Sequence, residues 1–395
     1  MTEQAKVPAI RFAGFTDPWE QRKLGDVASS FDYGLNAAAT EYDGQNKYLR
    51  ITDIDDETHE FSKSDLTTPL ADLAMSADYL LKEGDLLFAR TGASVGKTYL
   101  YRQFDGMVYF AGFLIRARIG EGADPEFAYQ ATLTDAYKKY VAITSQRSGQ
   151  PGVNAQEYAD YQLMLPSKTE QQQIGMTLRS LDDLITLHQR KYDKLVILKK
   201  SMLEKMFPKD GESVPEIRFA GFTDPWEQRK ASEVFQIVDD RGHPTLPVLS
   251  ATQNQGMIYR DDSGRYIGHD ESNEIGYKRV LPGDFVVHLR SFQGGFAHSQ
   301  YEGITSPAYT VFRAKEPTSH SDRFWKHWFM SEHFIAGLST VTYGIRDGRS
   351  ISVDEFMNTF LAFPAVEEQA AISRLFDYLD DLITLHQRKR LWFAK

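Results

Sequence analysis

The chain of 395 residues contains no cysteine, which excludes disulfide bonds, thiolate metal sites and cysteine nucleophiles. Long apolar runs are also lacking, and the opening residues MTEQAKVPAIRF contain neither a basic nor an apolar signal region. No HExxH pattern occurs among the ten histidines, so the sequence gives little support to a zinc enzyme. We therefore expect a cytoplasmic protein without a membrane span, a metal or a cofactor.

Positive charge is scarce as well, because the chain has 45 lysines and arginines against 55 aspartates and glutamates, which gives a formal net charge of −10. A nucleic-acid-binding protein usually carries a basic footprint, so this balance alone argues against one. Residues 86–102 and 136–156, however, contain basic residues and no acidic ones. Such windows can face phosphate groups, although a solvated surface explains them equally well.

Two segments of the sequence occur twice. VPAIRFAGFTDPWEQRK at residues 7–23 returns as VPEIRFAGFTDPWEQRK at residues 214–230, and LDDLITLHQRK at residues 181–191 returns at residues 379–389. Between these segments the identity is lost and the two interiors differ in length. This pattern predicts two similar repeats. The repeated segments would have the same role in both, and the unlike sequences between them, which we call the inserts, would each have a different role.

Each copy of LDDLITLHQRK belongs to a predicted long helix. A P-x3-EQ-x2-I pattern marks the start of each helix, and apolar residues then recur in heptads over Ile174–Phe207 and Ile372–Phe393. His188 and His386 lie on this seam, where a polar residue more often fixes register than binds a metal. Either helix alone would expose an apolar stripe, so we predict that the two pair as a coiled coil.

Both inserts show mixed helix and strand patterns. In the first, residues 47–54, 85–90 and 107–119 are strand-like, and one helix is expected from Asp124 onward. The second insert has strand-like stretches at residues 284–290 and 308–313, followed by one helix that holds Phe324 to Leu338. Capping boxes close both inserts, at Asn154 to Glu157 and at Ser352 to Glu355.

The candidate catalytic motifs are weak. The loop that starts at Gly92 looks like a phosphate-binding loop, but it has three residues between its glycines instead of four, and Thr91 stands where the first glycine should be. The repeated Asp182-Asp183 and Asp380-Asp381 pairs are neighbours on a helix, so their carboxylates point about 100° apart. No Asn/Asp-Pro-Pro-Tyr/Phe motif of adenine methyltransferases occurs. The sequence therefore predicts no catalytic site.

Taken together, the sequence resembles the specificity (S) subunits of type I restriction-modification enzymes. The resemblance is carried by IRFAGFTDPWEQRKLGDV at residues 10–27, GDLLFARTGASVGK at 84–97, LSATQNQGMIYRDD at 249–262, and the helix starts. It implies an α+β fold of two target-recognition-type mixed α/β domains, joined by a pair of long antiparallel coiled-coil helices with a pseudo-twofold internal repeat.

The resemblance also implies a function and a set of partners. The subunit would be non-catalytic, and each insert would read one half of a split site in double-stranded DNA. The repeated helices would set the spacing of the half-sites and hold two methyltransferase subunits, while separate ATP-dependent motor subunits cut the DNA.

The ends of the repeated segments and of the two long helices divide the chain into six segments. The C-terminal segment is short, and its last residues, RLWFAK, do not match the sequence of the first long helix. The six segments are residues 1–23 (first repeated segment), 24–166 (first target recognition domain), 167–207 (central helix), 208–230 (linker and second repeated segment), 231–364 (second target recognition domain) and 365–395 (C-terminal helix).

Base-reading residues are expected in the loops after the Gly-Asp strands and in the segments just before the capping boxes. Arginine and glutamine can make bidentate contacts with guanine and adenine edges, whereas charged loop tips in solvent are the alternative. The candidates are Arg90, Thr91, Ser94, Lys97, Gln146, Arg147 and Gln150 in the first repeat and Arg290, Ser291, Gln293, Tyr343, Arg346 and Arg349 in the second.

Two other functions stay open at this point. A bivalent scaffold would use two mixed domains on a coiled coil to bind proteins or sugars. An NTPase would use the loop at Gly92. Steep salt dependence of DNA binding separates the first alternative from a DNA-reading subunit, and a test of ATP binding separates the second.

Overall fold

The computed structural model describes residues 8–56, 58–146, 149–209, 211–252, 255–263, 271–288, 296–338, 342–343, 350–351 and 353–393. The chain forms two compact units, unit one over residues 1–187 and unit two over residues 188–393. Within the described residues, no helix is both long enough and apolar enough to cross a membrane.

Unit one is built around a four-stranded antiparallel sheet with three helices after it. Its elements are β1 (Glu20–Lys23), α1 (Leu24–Val27), β2 (Ala28–Tyr33), β3 (Ala38–Glu41), β4 (Lys47–Leu49), β5 (Thr67–Leu70), β6 (Asp85–Ala89), β7 (Thr98–Leu100), β8 (Val108–Phe110), β9 (Leu114–Ile119), α2 (Pro125–Ala131), α3 (Asp135–Thr144), α4 (Ala155–Ala159), β10 (Gln162–Leu165) and the start of α5 (Lys168–Lys205). The sheet has the order β2-β9-β6-β7, and β1 pairs with β10 as a separate antiparallel ribbon.

Unit two repeats this plan with different residues. After the end of α5 its elements are β11 (Glu227–Lys230), α6 (Ala231–Val234), β12 (Phe235–Val238), β13 (Leu249–Thr252), β14 (Gly256–Tyr259), β15 (Lys278–Val280), β16 (Phe285–His288), β17 (Phe296–His298), β18 (Gly303–Thr305), β19 (Tyr309–Ala314), α7 (Asp322–Trp328), α8 (Glu332–Leu338), β20 (Thr342–Tyr343), β21 (Ser350–Ile351), α9 (Val353–Asn358), β22 (Phe360–Phe363) and α10 (Val366–Phe393). Its sheet has the order β12-β19-β16-β17, and β11 pairs with β22.

Two local predictions are wrong in the same way in both units. The single helix expected in each insert is two helices, α2 and α3 in unit one and α7 and α8 in unit two. A hydroxyl group starts a new helix at each break, because Thr134 accepts a hydrogen bond from the Tyr137 amide and Ser331 accepts one from the Phe334 amide. The capping box at Asn154 is confirmed, whereas Ser352 lies outside the described residues.

The strand expected over residues 47–54 is also shorter than predicted. It ends at Leu49, and residues 51–53 form a 3-10 turn. The Asp53 carboxylate accepts the Arg50 amide at 2.8 Å, a local bond that competes with strand pairing.

The P-x3-EQ pattern has a structural explanation in unit one. The Glu170 carboxylate is fully buried and accepts two hydrogen bonds of 2.7 Å from the Arg11 guanidinium group. The Gln171 amide oxygen accepts the backbone N–H of Asp124, the N-cap of α2, and its nitrogen donates to the carbonyl of Pro166. One buried dipeptide thus fixes the N-terminal segment, the insert and the start of the long helix together.

Unit two uses the same arrangement. Arg218 donates to Glu368 at 2.7 and 2.8 Å, and Gln369 bonds the Ser321 amide and the Pro364 carbonyl. Trp226 adds a third bond to Glu368 through its indole N–H, at 3.0 Å. We call these two arrangements the framework clamps, Arg11–Glu170–Gln171 and Arg218–Glu368–Gln369.

The predicted antiparallel helix pair is confirmed within unit two. Nδ1 of His188 on α5 lies 2.8 Å from Nδ1 of His386 on α10, and these two residues are 198 positions apart, equivalent in the two repeats. Further along, Lys199 pairs with Asp380 at 2.5 Å and the ring of Phe207 stacks on that of Phe376. Residue numbers rise along one helix as they fall along the other, so the helices are antiparallel.

Candidate nucleic-acid interface

The two predicted reading segments of unit one lie side by side. Thr91 and Gly152 form an antiparallel bridge, and the Gly92 amide donates to the Pro151 carbonyl at 3.0 Å. Gly92 has a φ of +72°, a conformation that favours glycine, and a Cβ there would lie 3.0 Å from the side-chain nitrogen of Gln150. The loop after β6 and the segment before the capping box therefore form one continuous surface.

The described candidates differ in exposure. Gln146 and Gln150 are exposed, and Ser94 is half-buried in a 3-10 turn over Gly92–Ser94. Lys97 is occupied within the protein, since its ammonium group donates to the Ile54 carbonyl at 2.9 Å and pairs with Asp56 at 2.5 Å. This ammonium group would have to leave Asp56 to reach DNA.

The other candidates fall outside the part of the chain that the structure describes. Only the backbone of Tyr343 is placed, in β20, where it pairs with Ser350. The rest remain predictions from the sequence; they are Arg147, Arg290, Ser291, Gln293, Arg346 and Arg349.

The loop at Gly92 does not have the surroundings of a nucleotide-binding loop. It connects the antiparallel strands β6 and β7, and within residues 84–101 the structure contains only the 3-10 turn at Gly92–Ser94 and no α-helix. A phosphate-binding loop presents its anion to a helix N-terminus. The geometry therefore gives no support to an NTPase site here.

Sequence reasoning missed two aromatic residues that flank Arg90. Strands β2 and β6 both run antiparallel to β9, so Tyr33 at the end of β2, Arg90 after β6 and Phe113 before β9 meet at one edge of the sheet. The Arg90 guanidinium carbon lies 5.1 Å from the centre of the Tyr33 ring and 6.0 Å from that of Phe113. We call this arrangement the aromatic bracket of Arg90.

The bracket borders a groove of about 600 Å³. Its lining includes five small residues, which we call its floor: Gly34, Ala37, Ala39, Ala111 and Gly112. Glycine is required in this floor, because a Cβ on Gly34 would lie 2.1 Å from the carbonyl oxygen of Ala111. Polar groups come from Asn36, Arg50 and Thr52, and none of the described residues that line the groove is acidic. The groove can therefore receive an acceptor-rich or anionic ligand without repulsion from its own walls.

The only cluster of metal-ligand type among the described residues is in unit two. Its three residues His327, Asp377 and Asp380 offer ligand atoms within 4.8 Å of one another. Cations of the protein already neutralise it, since Lys326 lies 3.5 Å from both carboxylates and Lys199 pairs with Asp380. We assign the cluster to packing of α7 against α10.

The histidine pair predicts a pH dependence of unit two. Burial, followed by the nearby Lys389 and Lys191, lowers the pKa of His188, and burial together with His188 lowers that of His386. The unfolded chain therefore binds more protons below the ordinary value of 6.5. Stability from this pair is fully present above that pH and is lost as the pH falls through the lower folded values.

We expect chemical unfolding of unit two to show a smaller loss of stability between pH 7.5 and pH 5.5 in a His188→Leu/His386→Leu variant than in the wild type. The buried His327 and His320 contribute in the same direction, because burial also lowers the pKa of each. They are unchanged in the variant, so only the difference between the two proteins reports on the pair. Equal pH dependence of both proteins would contradict the prediction.

The geometry defines a class before any comparison. Two units of one plan, each closed by the same clamp and carrying an unlike insert, define a protein with two variable domains on repeated supports. Comparison with known proteins shows what this chain is similar to. Residues 16–196 match the family described as type I restriction modification DNA specificity domain.

Two known proteins are similar to this chain over nearly its whole length, one in sequence and one in fold. The type I restriction enzyme MjaVIII specificity subunit of Methanocaldococcus jannaschii is 22% identical over 395 residues, covering 95% of this chain and 89% of that protein. The solved S subunit of a type I restriction-modification system from M. genitalium has a TM-score of 0.59 at 10% identity, covering 99% of this chain and 96% of that one. The latter shows the fold. The predicted resemblance to type I specificity subunits is confirmed, and the family match covers residues 16–196 of this chain.

Proposed function

We propose that this chain is the non-catalytic subunit that recognises a split DNA site for a type I restriction-modification complex, with one insert for each half-site. The observation that carries the proposal is the duplicated clamp. The same buried Arg–Glu–Gln arrangement holds two inserts of different sequence. Equivalent clamps suit a protein that binds the same kind of partner subunit twice, and inserts of different sequence suit the reading of two different DNA half-sites.

The reading surface proposed for unit one is the joined loop pair around Thr91 and Gly152, together with Arg90. Its acid-free character in a chain of net charge −10 supports contact with DNA. In unit two the equivalent loops are proposed from the sequence alone. The presence of two units with unlike inserts supports a split site.

The proposed partners are two methyltransferase subunits, docked on the long helices, and ATP-dependent motor subunits that join through the complex in the cytoplasm. Both helices carry large apolar side chains that are exposed in the single chain, which supports docking of protein partners. On α5 these include Met176, Leu184, Leu187 and Ile197, and on α10 Tyr378, Leu385 and Trp392.

The proposal is tested by titrating labelled duplexes with the chain bound to its methyltransferase partners, at several salt concentrations. Contact with phosphates makes log K fall linearly with log salt, and specific reading adds about 10³-fold or more of preference for the cognate duplex. Mapping of methylated adenines in the host genome supplies that duplex. A complex that binds all sequences alike would overturn the proposal.

We predict that the isolated chain neither methylates nor cleaves DNA when it receives methyl donor, Mg²⁺ and ATP. The physical reason is that the sequence has no methyltransferase motif and that the loop at Gly92 lacks a helix N-terminus behind it. Radiolabelled methyl transfer and gel analysis of plasmid DNA measure the two activities. Turnover that persists after removal of all partner subunits, and that disappears with this chain, would contradict the prediction.

A further inference from the structure

Arg90 differs from the other arginines of the first insert in its charge partners. Five arginines between residues 24 and 166 are described. Four of them pair with carboxylates: Arg50 with Asp53, Arg102 with Glu126, Arg116 with Asp32, and Arg118 with Asp85. Arg90 has neither a hydrogen bond to its guanidinium group nor an ion pair among the described residues, and its Nε is buried without a partner.

The rings of the aromatic bracket hold this cation in place of a carboxylate. A guanidinium group over an aromatic face is attracted by the ring quadrupole, and the attraction strengthens as water is excluded. Tyr33 and Phe113 remain 45% and 57% exposed, so the faces that do not meet Arg90 are open to a ligand. The Tyr33 hydroxyl also accepts the Ala155 amide of α4 at 3.3 Å, which ties the bracket to the segment beside the capping box.

We propose that the aromatic bracket orients Arg90 to read one guanine in the half-site of unit one, with Tyr33 and Phe113 as positioning residues. This inference rests on the proposed function. A guanidinium group held against two rings suits the two parallel bonds to N7 and O6 of guanine, which demand a fixed orientation. A phosphate contact can also be bidentate, but lysine, polar side chains and backbone N–H groups make it equally well, and it carries no sequence information.

The groove beside the bracket fits this role. Its small-residue floor and its lack of acidic lining let a base edge approach Arg90 from the groove side. The bracket belongs to the insert and not to the repeated segments, since the residue after β12 in unit two is Asp239, which pairs with Arg241. If the two half-sites differ in sequence, the residues that read bases must differ between the two inserts, and the bracket meets this condition.

The experiment uses the full chain with its methyltransferase partners and the cognate duplex, in which each guanine of the unit-one half-site is replaced in turn by 7-deazaguanine. This base keeps its Watson–Crick pairing and loses only the N7 acceptor. For the wild type we expect one position at which replacement weakens binding by about 5- to 10-fold, the effect of losing one of two hydrogen bonds. Arg90→Ala should weaken binding to the natural duplex by about 10- to 100-fold and be insensitive to replacement at that position.

The positioning role has its own readout. Tyr33→Phe keeps the ring and should retain the wild-type sensitivity to 7-deazaguanine, while Tyr33→Leu and Phe113→Leu should lose most of it and keep the salt slope. Arg90→Lys, which keeps the charge, should also lose the sensitivity. Lys82→Gln is the matched control for removal of one positive charge, because Lys82 is exposed and precedes β6, whereas Arg90 follows that strand.

Three results would overturn the inference while the proposed function stands. The first is a unit-one half-site without guanine. The second is equal sensitivity of wild type and Arg90→Ala to 7-deazaguanine at every position. The third is an Arg90→Ala variant that binds all duplexes more weakly by the same factor, with a salt slope reduced by about one. The last result would make Arg90 a phosphate contact. If the wild-type complex itself shows no sequence preference, the proposed function has failed instead.

Discussion

Replacing Arg11 by methionine is expected to lower the free energy of unfolding of unit one by about 3–5 kcal/mol, the usual cost of leaving one partner of a buried ion pair unpaired. The Glu170 carboxylate is fully buried and loses both of its 2.7 Å bonds to the guanidinium group. Urea unfolding followed by tryptophan fluorescence and circular dichroism measures the change. Arg22→Ala is the control, because the one ion pair of the Arg22 side chain among the described residues is an exposed contact of 3.9 Å with Glu20.

The same change in the second clamp should cost less. After Arg218→Met, the Trp226 indole N–H still donates to Glu368, whereas the buried indole nitrogen of Trp19 has no hydrogen-bond partner among the described residues of unit one. An Arg11→Met/Glu170→Met double variant should recover much of the lost stability, since no buried charge is left. A loss for Arg11→Met that is no larger than that for Arg22→Ala would show that the clamp does not hold the unit together.

Lengthening both long helices by one heptad is expected to change the spacing between half-sites and to leave the half-site sequences unaltered. The insertions belong in the Leu178–Met206 seam of α5, after His188, and in α10 before His386. Seven residues add about 10 Å at about 1.5 Å per residue, which corresponds to about three base pairs at about 3.4 Å each. Mapping of methylated adenines in a host that carries the variant reads both half-sites and their spacing.

Insertion in α5 alone is the control for this experiment. It shifts the register so that the His188–His386 contact and the Phe207–Phe376 stack cannot both form. That variant should lose stability and activity and should not gain a new spacing. An unchanged spacing in the doubly extended variant would refute the idea that the helix pair acts as a ruler.

The features that could be predicted from the sequence are local or repeated. The helix starts, the capping box at Asn154 and the position of His188 and His386 on the helix seam each follow from a short pattern or from a residue that recurs at an equivalent position. The breaks at Thr134 and Ser331 were missed because threonine and serine also occur inside helices, and only the observed bonds to the third following amide show them to be caps.

The aromatic bracket could not be predicted for a different reason. Tyr33, Arg90 and Phe113 come from the ends of three strands that are far apart in the chain, and their meeting depends on the register of β2 and β6 against β9. Register between strands that are distant in the chain depends on which face of each strand is buried, so the neighbours of one residue in the sequence say little about its cross-strand partner. The one available signal is that Tyr33 precedes a glycine and Phe113 follows one, which marks a close approach of backbones.

The ribbon that closes each unit has a consequence for how such proteins change over generations. Glu20 lies opposite Leu165 and Lys23 opposite Gln162, so the chain enters and leaves the first insert at the same place, and β11 and β22 do the same for the second. An insert from another protein therefore needs only to begin and end at this two-stranded ribbon and to contact the framework clamp. Crossing over within the gene segments that encode the nearly identical repeated segments would therefore exchange whole inserts, and with them the half-sites that we propose they read, without disturbing the long helices that we propose as docking sites for the partners.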